Sequence, residues 1–156
     1  PRDRFWLALD VSAYSLVAAA RGLPVTFHRA FDLVSDQHEA LDMVAAAGVT
    51  RILTSGGAST AIEGADMIAS LVRVAGARLT VVAGGGIREE HVTELVRRSG
   101  VREIHVRGTR LRHTAMTAPV SRVRLRKALP EDEGAWEETD ESRVSMFVTL
   151  AGKAAS

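Results

Sequence analysis

The first residues that could perform chemistry are His28 and Arg29, followed three residues later by Asp32. The guanidinium of Arg29 could bind an acidic substrate while the Asp32 carboxylate acts as a general acid or base. The same two charges could instead pair with each other and close a loop. The sequence leaves both interpretations open, and all three residues are candidate catalytic groups.

A glycine triplet forms the second group. Gly84, Gly85 and Gly86 separate an apolar run from a helical pattern. Backbone N–H groups in such a turn can approach an anion, with the dipole of the following helix behind them. A tight turn alone rarely requires three consecutive glycines, and we therefore predict an anion-binding loop here.

A second, weaker loop of the same kind follows another apolar run. It contains Thr54, Ser55, Gly56 and Gly57. The hydroxyl groups and the glycine N–H groups could also bind an anionic ligand. We therefore predict that this loop contributes to the same ligand site.

Two histidines are expected within strands. Alternation along a strand lets His28 and His105 point to the same side as Thr26. They could form an acid–base pair or supply two imidazole ligands to a metal. They could also be hydrogen-bonded interior histidines, and this last interpretation is favoured because no cysteine or nearby methionine supplies a softer ligand.

The elements that must position these groups follow a repeating pattern. Four apolar or β-branched runs occupy residues 25–28, 51–54, 79–83 and 103–106, and a helical pattern that ends in glycine follows each of the first three. Such spacing is typical of βαβ units, which take about 30 residues each. The sequence therefore predicts an α/β fold with four parallel βα units over residues 24–108, preceded by a helix within residues 1–23.

The remainder of the chain is rich in charge. Seven basic residues from Arg107 to Lys127 are followed by seven acidic residues from Glu131 to Glu141. These opposite charges cancel, and Trp136 is the only nearby aromatic residue, so a solvated loop is favoured over a nucleic-acid-binding arm. We predict a charged loop over residues 109–141 and a final helix over residues 142–156.

Composition narrows the class of protein. The 156 residues carry a net charge of +1, with 46% hydrophobic and 4% aromatic residues and no cysteine. These values exclude a disordered chain, a strongly basic nucleic-acid binder and a disulfide scaffold. No apolar run reaches the roughly 18 residues of a membrane helix. We expect a single α/β domain over residues 1–156, located in the cytoplasm, with neither nucleic acid nor membrane as a partner.

The string PVTFHRAFD at residues 24–32 resembles the signature of the CutC family of copper-homeostasis proteins. LTSGG at 53–57, AGGGI at 83–87 and EIHV at 103–106 follow in the order and spacing of that family. The resemblance implies a TIM-type (β/α) barrel, homo-oligomers and a role in copper tolerance. Arg107 departs from the pattern, where a small polar residue is expected, and the cysteines proposed to bind copper in the family have no counterpart here. The residues that match motif positions are His28, Arg29, Asp32, Thr54, Ser55, Gly84, Gly85, Gly86 and His105.

A full barrel has eight strands, and the motifs of this chain match the second half of the family pattern. We therefore expect an incomplete barrel whose first half is missing and which self-associates. The leading functional hypothesis is a copper-homeostasis protein that binds copper or a small anionic ligand at the C-terminal ends of the strands. The rival is a barrel isomerase, aldolase or lyase acting on a phosphorylated small molecule, with Asp32 or His28 as the acid or base and Arg29 as the substrate clamp. A third possibility is a structural half-barrel that persists only as a dimer.

Overall fold

The computed structural model describes residues 13–113 and 135–154 of the chain. Four parallel strands form one sheet in the order β1-β2-β3-β4. The strands are β1 (Thr26–Phe27), β2 (Arg51–Thr54), β3 (Thr80–Gly84) and β4 (Glu103–His105). The predicted α/β fold with four parallel βα units is thereby confirmed.

Helices precede and connect these strands. Helix α1 covers residues 13–19, and the connecting helices are α2 (Gln37–Ala46), α3 (Ala65–Ala75) and α4 (Val92–Ser99). Asp36 caps α2 by accepting hydrogen bonds from the N–H groups of His38 and Glu39. Gly100 ends α4 in a left-handed conformation, with φ of +70°, which glycine adopts at little cost.

The helices pack against one face of the sheet. The buried side chains between these layers include Leu41, Val44, Ile52, Ile68, Leu71, Val81, Ala83 and Leu95. Because strand residues alternate between faces, Arg51 and Glu103 lie on the opposite face. Arg51 Nε lies 3.0 Å from Glu103 Oε2, so this ion pair spans β3 from the strands on its two sides. The sheet therefore has one apolar face and one face with charged groups.

The charged segment differs from its prediction. A loop was expected over residues 109–141, but its two ends form the antiparallel strands β5 (Thr109–His113) and β6 (Ala135–Thr139). Glu138 Oε1 accepts hydrogen bonds from Arg110 Nη2 at 2.8 Å and from Arg112 Nε at 2.6 Å. Opposite charges therefore meet across the two strands, which favours their pairing. The predicted loop residues 114–134 lie outside the described part of the chain.

The last helix, α5 (Glu141–Ala154), packs against α4 and buries Phe147. The preceding residue Asp140 caps it by accepting a hydrogen bond from the N–H group of Ser142 at 2.9 Å. Of the predicted leading helix, residues 1–12 lie outside the described part. Within residues 13–113 and 135–154, no helix combines the length and the apolar character required to cross a bilayer.

A close backbone approach generates the first prediction. A Cβ atom on Gly64 would overlap the carbonyl oxygen of Ser55, whereas a Cβ on Gly152 in α5 would meet no atom within 4 Å. We expect Gly64→Ala to lower the free energy of unfolding by about 2–3 kcal/mol or more, because backbone must move. Gly152→Ala is the matched control and should stabilise the chain by up to about 1 kcal/mol. Urea unfolding followed by circular dichroism measures both, and equal stabilities would contradict this packing.

Candidate functional site

The candidate site begins where β1 ends. A short 3-10 helix, Arg29–Leu33, follows directly, and Phe31 anchors it in the core. His28 caps this helix, since its Nδ1 accepts a hydrogen bond from the N–H group of Ala30 at 3.0 Å. The prediction that His28 lies within the strand is therefore wrong: the chain turns at this residue because its ring serves as the cap.

Asp32 is the most highly coordinated group at this edge of the sheet. Its Oδ1 accepts hydrogen bonds from Thr54 Oγ1 at 2.5 Å, from the N–H group of Ser55 at 3.0 Å and from that of Gly57 at 3.1 Å. Its Oδ2 accepts hydrogen bonds from Arg29 Nε at 2.8 Å, from Ser55 Oγ at 3.0 Å and from the N–H group of Ser55 at 3.1 Å. The side chain is only 7% exposed. Asp32 therefore joins the loop after β1 to the loop after β2.

The charge state of Asp32 follows from these partners. Burial raises the pKa of its carboxyl, but hydrogen bonds from Thr54, Arg29, Ser55 and Gly57 outweigh that effect and hold the pKa below its ordinary value. A carboxylate that is ionised and surrounded by donors of its own chain is poorly suited to accept a proton from a substrate. Two interpretations of Arg29 and Asp32 were open, and the structure agrees with the one in which the two side chains pair with each other.

The loop of Thr54, Ser55, Gly56 and Gly57 does bind an anion, and that anion is Asp32. Besides the Ser55 and Gly57 contacts, the N–H group of Gly56 donates to Thr54 Oγ1 at 2.8 Å. Thr54 and Ser55 are fully buried. The donors that were expected to hold an external ligand are therefore occupied by groups of the chain itself.

Arg29 retains one unused nitrogen. Its Nε donates to Asp32, and its Nη2 donates to Ser55 Oγ at 2.5 Å. Its Nη1 has no acceptor among the residues that the structure describes, and the side chain is 41% exposed. A Cβ atom on Gly85 would lie 2.8 Å from this Nη1. The guanidinium therefore lies directly against the glycine triplet.

The triplet adds backbone donors. Gly85 and Gly86 have φ values of +114° and +62°, which favour glycine, and the carbonyl of Gly85 accepts a hydrogen bond from the N–H group of Ala61 at 2.9 Å. The N–H groups of Gly86 and Ile87 have no acceptor among residues 13–113 and 135–154. The loop thus carries two unpaired donors next to the residue that contacts Nη1.

The two candidate metal ligands are not brought together. His28 follows β1 and His105 ends β4, and these are the outer strands of the sheet. Three strand spacings therefore separate their backbones by about 14 Å along the sheet. In the described ranges, no group of three or more histidine, aspartate or glutamate side chains could hold a metal ion. His105 instead lies beside the triplet, with its Cβ 3.2 Å from where a Gly84 Cβ would be.

One neighbour of the triplet was not identified from the sequence. A Cβ on Gly86 would lie 2.9 Å from Thr60 Cγ2. Thr60 and Glu63 cap each other's backbone: Glu63 Oε2 accepts from the N–H group of Thr60 at 3.0 Å, and Thr60 Oγ1 accepts from that of Glu63 at 3.4 Å. The pattern Thr-x-x-Glu before an apolar run is a capping signal that could have located this residue.

The Asp32 network generates a prediction about pH. Asp32→Asn should lower the free energy of unfolding by about 2–3 kcal/mol near neutral pH, because charge-assisted hydrogen bonds are lost. Since the folded pKa of Asp32 is depressed, its contribution is present above the unfolded value of about 3.9 and is lost as the pH falls through the folded value. Unfolding of both proteins by urea between pH 2 and pH 7 measures the difference.

We therefore expect the stability difference between wild type and Asp32→Asn to shrink below pH 4. Asp42→Asn is the control, because Asp42 is an exposed carboxylate paired with Arg78 and should contribute little. A difference that stays constant down to pH 2 would contradict the assigned role of Asp32.

Comparison with known proteins agrees with this architecture. The family model described as "CutC family" matches residues 7–110. A CutC family protein of Caulobacter vibrioides is 50% identical over 99 residues, which are 63% of this chain and 40% of the relative. A protein of Mus musculus named "Copper homeostasis protein cutC homolog" is 38% identical over 137 residues, covering 88% of this chain and 50% of the relative.

A solved structure is also similar. The putative copper homeostasis protein CutC from Streptococcus agalactiae is 37% identical and superimposes with a TM-score of 0.54, covering 58% of this chain and 45% of that one. The four parallel strands with their helices are consistent with part of a TIM-type barrel. The chain spans about half or less of the length of these relatives. On its sequence and its fold, the chain belongs to the CutC family.

Proposed function

We propose that this chain serves copper homeostasis by binding a small anionic ligand at the C-terminal ends of its parallel strands. Arg29 and the Gly84–Gly86 loop form the binding site, and His105 borders it. The names of its relatives, which include copper homeostasis protein, support the general role. The arrangement of donors supports the ligand.

The observation that carries this proposal is that Nη1 of Arg29 has no acceptor in the described part of the chain. Two of the three nitrogens of the guanidinium are held by Asp32 and Ser55, so the orientation of the third is already fixed. An arginine that is held in this way loses little conformational freedom when it binds an anion. Charge-assisted hydrogen bonds to an anion are also stronger than neutral ones.

The backbone of the same loop supports the proposal. The N–H groups of Gly86 and Ile87 are free to donate within the described part of the chain, and Gly85 has no side chain to separate them from Arg29. Any Cβ at Gly85 would contact the guanidinium. Because Gly85 has no side chain, the guanidinium of Arg29 and the N–H groups of Gly86 and Ile87 could bind the same anion.

In this proposal the chain does not bind copper directly through His28 or His105. His28 uses Nδ1 as a helix cap, and His105 lies at the opposite edge of the sheet. Among the described residues, neither histidine belongs to a group of three or more histidine, aspartate or glutamate side chains that could hold a metal ion. The direct ligand that we propose is therefore the anion.

Titration with inorganic phosphate tests the anion site. We expect the amide resonances of Gly86 and Ile87 to shift with phosphate, and Arg29→Gln to weaken the dissociation constant by about tenfold or more, as expected for loss of a charge-assisted hydrogen bond. Arg78→Gln removes an arginine that pairs with Asp42, outside this site, and should bind as wild type does. Thermal unfolding verifies that each variant is folded. Equal affinities for the two variants would show that Arg29 is not the ligand.

Equilibrium dialysis with Cu(I) tests the indirect role of copper. We expect wild type, His28→Ala and His105→Ala to retain the same small amount of copper, because these imidazoles do not converge. His38→Ala is the control, since His38 Nε2 is engaged with Ser70 Oγ at 2.9 Å between two helices. A stoichiometric copper ion that is lost from either of the first two variants alone would refute this assignment.

A further inference from the structure

Arg143 connects the C-terminal helix to the loop of the proposed anion site. It lies in α5, beyond residues 7–110 that match the family model. Its Nε lies 2.7 Å from Glu89 Oε1, and its Nη1 donates to the carbonyl of Thr109 at 2.5 Å. One guanidinium thus holds the loop after β3 and the first residue of β5.

Glu89 stands three residues after Gly86. It begins the 3-10 helix Glu89–His91 that leads into α4. The hydrogen bond from Arg143 lowers the pKa of Glu89, and the carboxylate is therefore charged at neutral pH. An unneutralised carboxylate two residues after Ile87 in the same loop would oppose an anion held by the donors of that loop.

The position of Arg143 is itself fixed. Asp140 Oδ1 accepts a hydrogen bond from the N–H group of Arg143 at 3.2 Å, and the N–H group of Asp140 donates to the carbonyl of Gly108 at 2.8 Å. A Cβ on Gly108 would lie 2.7 Å from Val144 Cγ2, so the residue that precedes β5 is in close contact with α5. Residues of α5, which follow the part of the chain that matches the family model, therefore contact the loop after β3, which lies inside that part.

We propose that Arg143 is a positioning residue that acts on the anion site through Glu89: it neutralises this carboxylate, which would otherwise oppose an anion at the donors of Gly86 and Ile87. This inference rests on the proposed function. It assigns a role to the hairpin of β5 and β6 together with α5: these elements place a cation where the acidic start of the 3-10 helix would otherwise oppose the ligand.

Four proteins test this role by titration with inorganic phosphate at low ionic strength: wild type, Arg143→Gln, Glu89→Gln and the double variant. We expect Arg143→Gln to weaken the dissociation constant by about threefold to tenfold, because Glu89 is left unpaired. Glu89→Gln alone should change it by no more than about twofold. The double variant should return to within about twofold of wild type, and 0.5 M NaCl should reduce the differences by screening.

Rescue by the second substitution separates this role from a merely structural one. If the double variant binds as weakly as Arg143→Gln, the charge of Glu89 is not the cause and the inference is overturned. Arg98→Gln is the control, because Arg98 also forms two ion pairs, with Asp66 and Glu94, and should leave phosphate affinity unchanged. Thermal unfolding is measured for every variant.

Three further outcomes are decisive. Arg143→Lys keeps the charge and should bind within about twofold of wild type, so a folded lysine variant with lost affinity contradicts the inference even where Arg143→Gln fails to fold. If Arg143→Gln binds as wild type while Arg29→Gln does not, the inference is wrong and the proposed function stands. Absence of phosphate binding by wild type overturns the proposed function and the inference with it.

Discussion

The buried carboxylate of Asp32 is the interaction on which the C-terminal edge of the sheet depends. Two loops that are distant in sequence meet because each supplies donors to this one charge. Arg29 contributes its Nε, while Thr54, Ser55 and Gly57 contribute a hydroxyl and backbone N–H groups. These contacts compensate for removing the charge from water, and they also leave Arg29 in one orientation. The position of its free nitrogen against the glycine triplet follows from that orientation.

The sequence was sufficient for the fold because the relevant signals are local. Short apolar runs, helical periodicity and terminal glycines each act within a few residues, and they predicted four parallel βα units. Long-range pairing was much less visible. The seven basic and seven acidic residues near the C-terminus suggested a solvated loop. Their number alone does not show which basic side chain pairs with which acidic one. In the structure Arg110 and Arg112 share Glu138 across two strands, so the pairing of strands decided the outcome.

The same distinction applies to the candidate site. The residue types predicted two loops rich in anion donors, but they did not indicate which partner the donors of a loop contact. For the Thr54–Gly57 loop that partner is a carboxylate more than twenty residues earlier in the chain. His28 gives a similar lesson, because its ring nitrogen acts on the backbone two residues later and ends the strand. A residue type suggests a chemistry, whereas its neighbours in space determine whether that chemistry is available.

Asp32 also has a consequence for the protein without any ligand. Its carboxylate acts as a permanent counterion for Arg29, and so the cation is partly neutralised before an external anion arrives. The folded state does not require an occupied site to offset an isolated buried charge. Of the two donor-rich loops in the described part of the chain, the Thr54–Gly57 loop is occupied by Asp32, whereas the N–H groups of Gly86 and Ile87 have no acceptor there. The loops at this edge are therefore held together by groups of the chain itself and do not need a ligand to keep their arrangement.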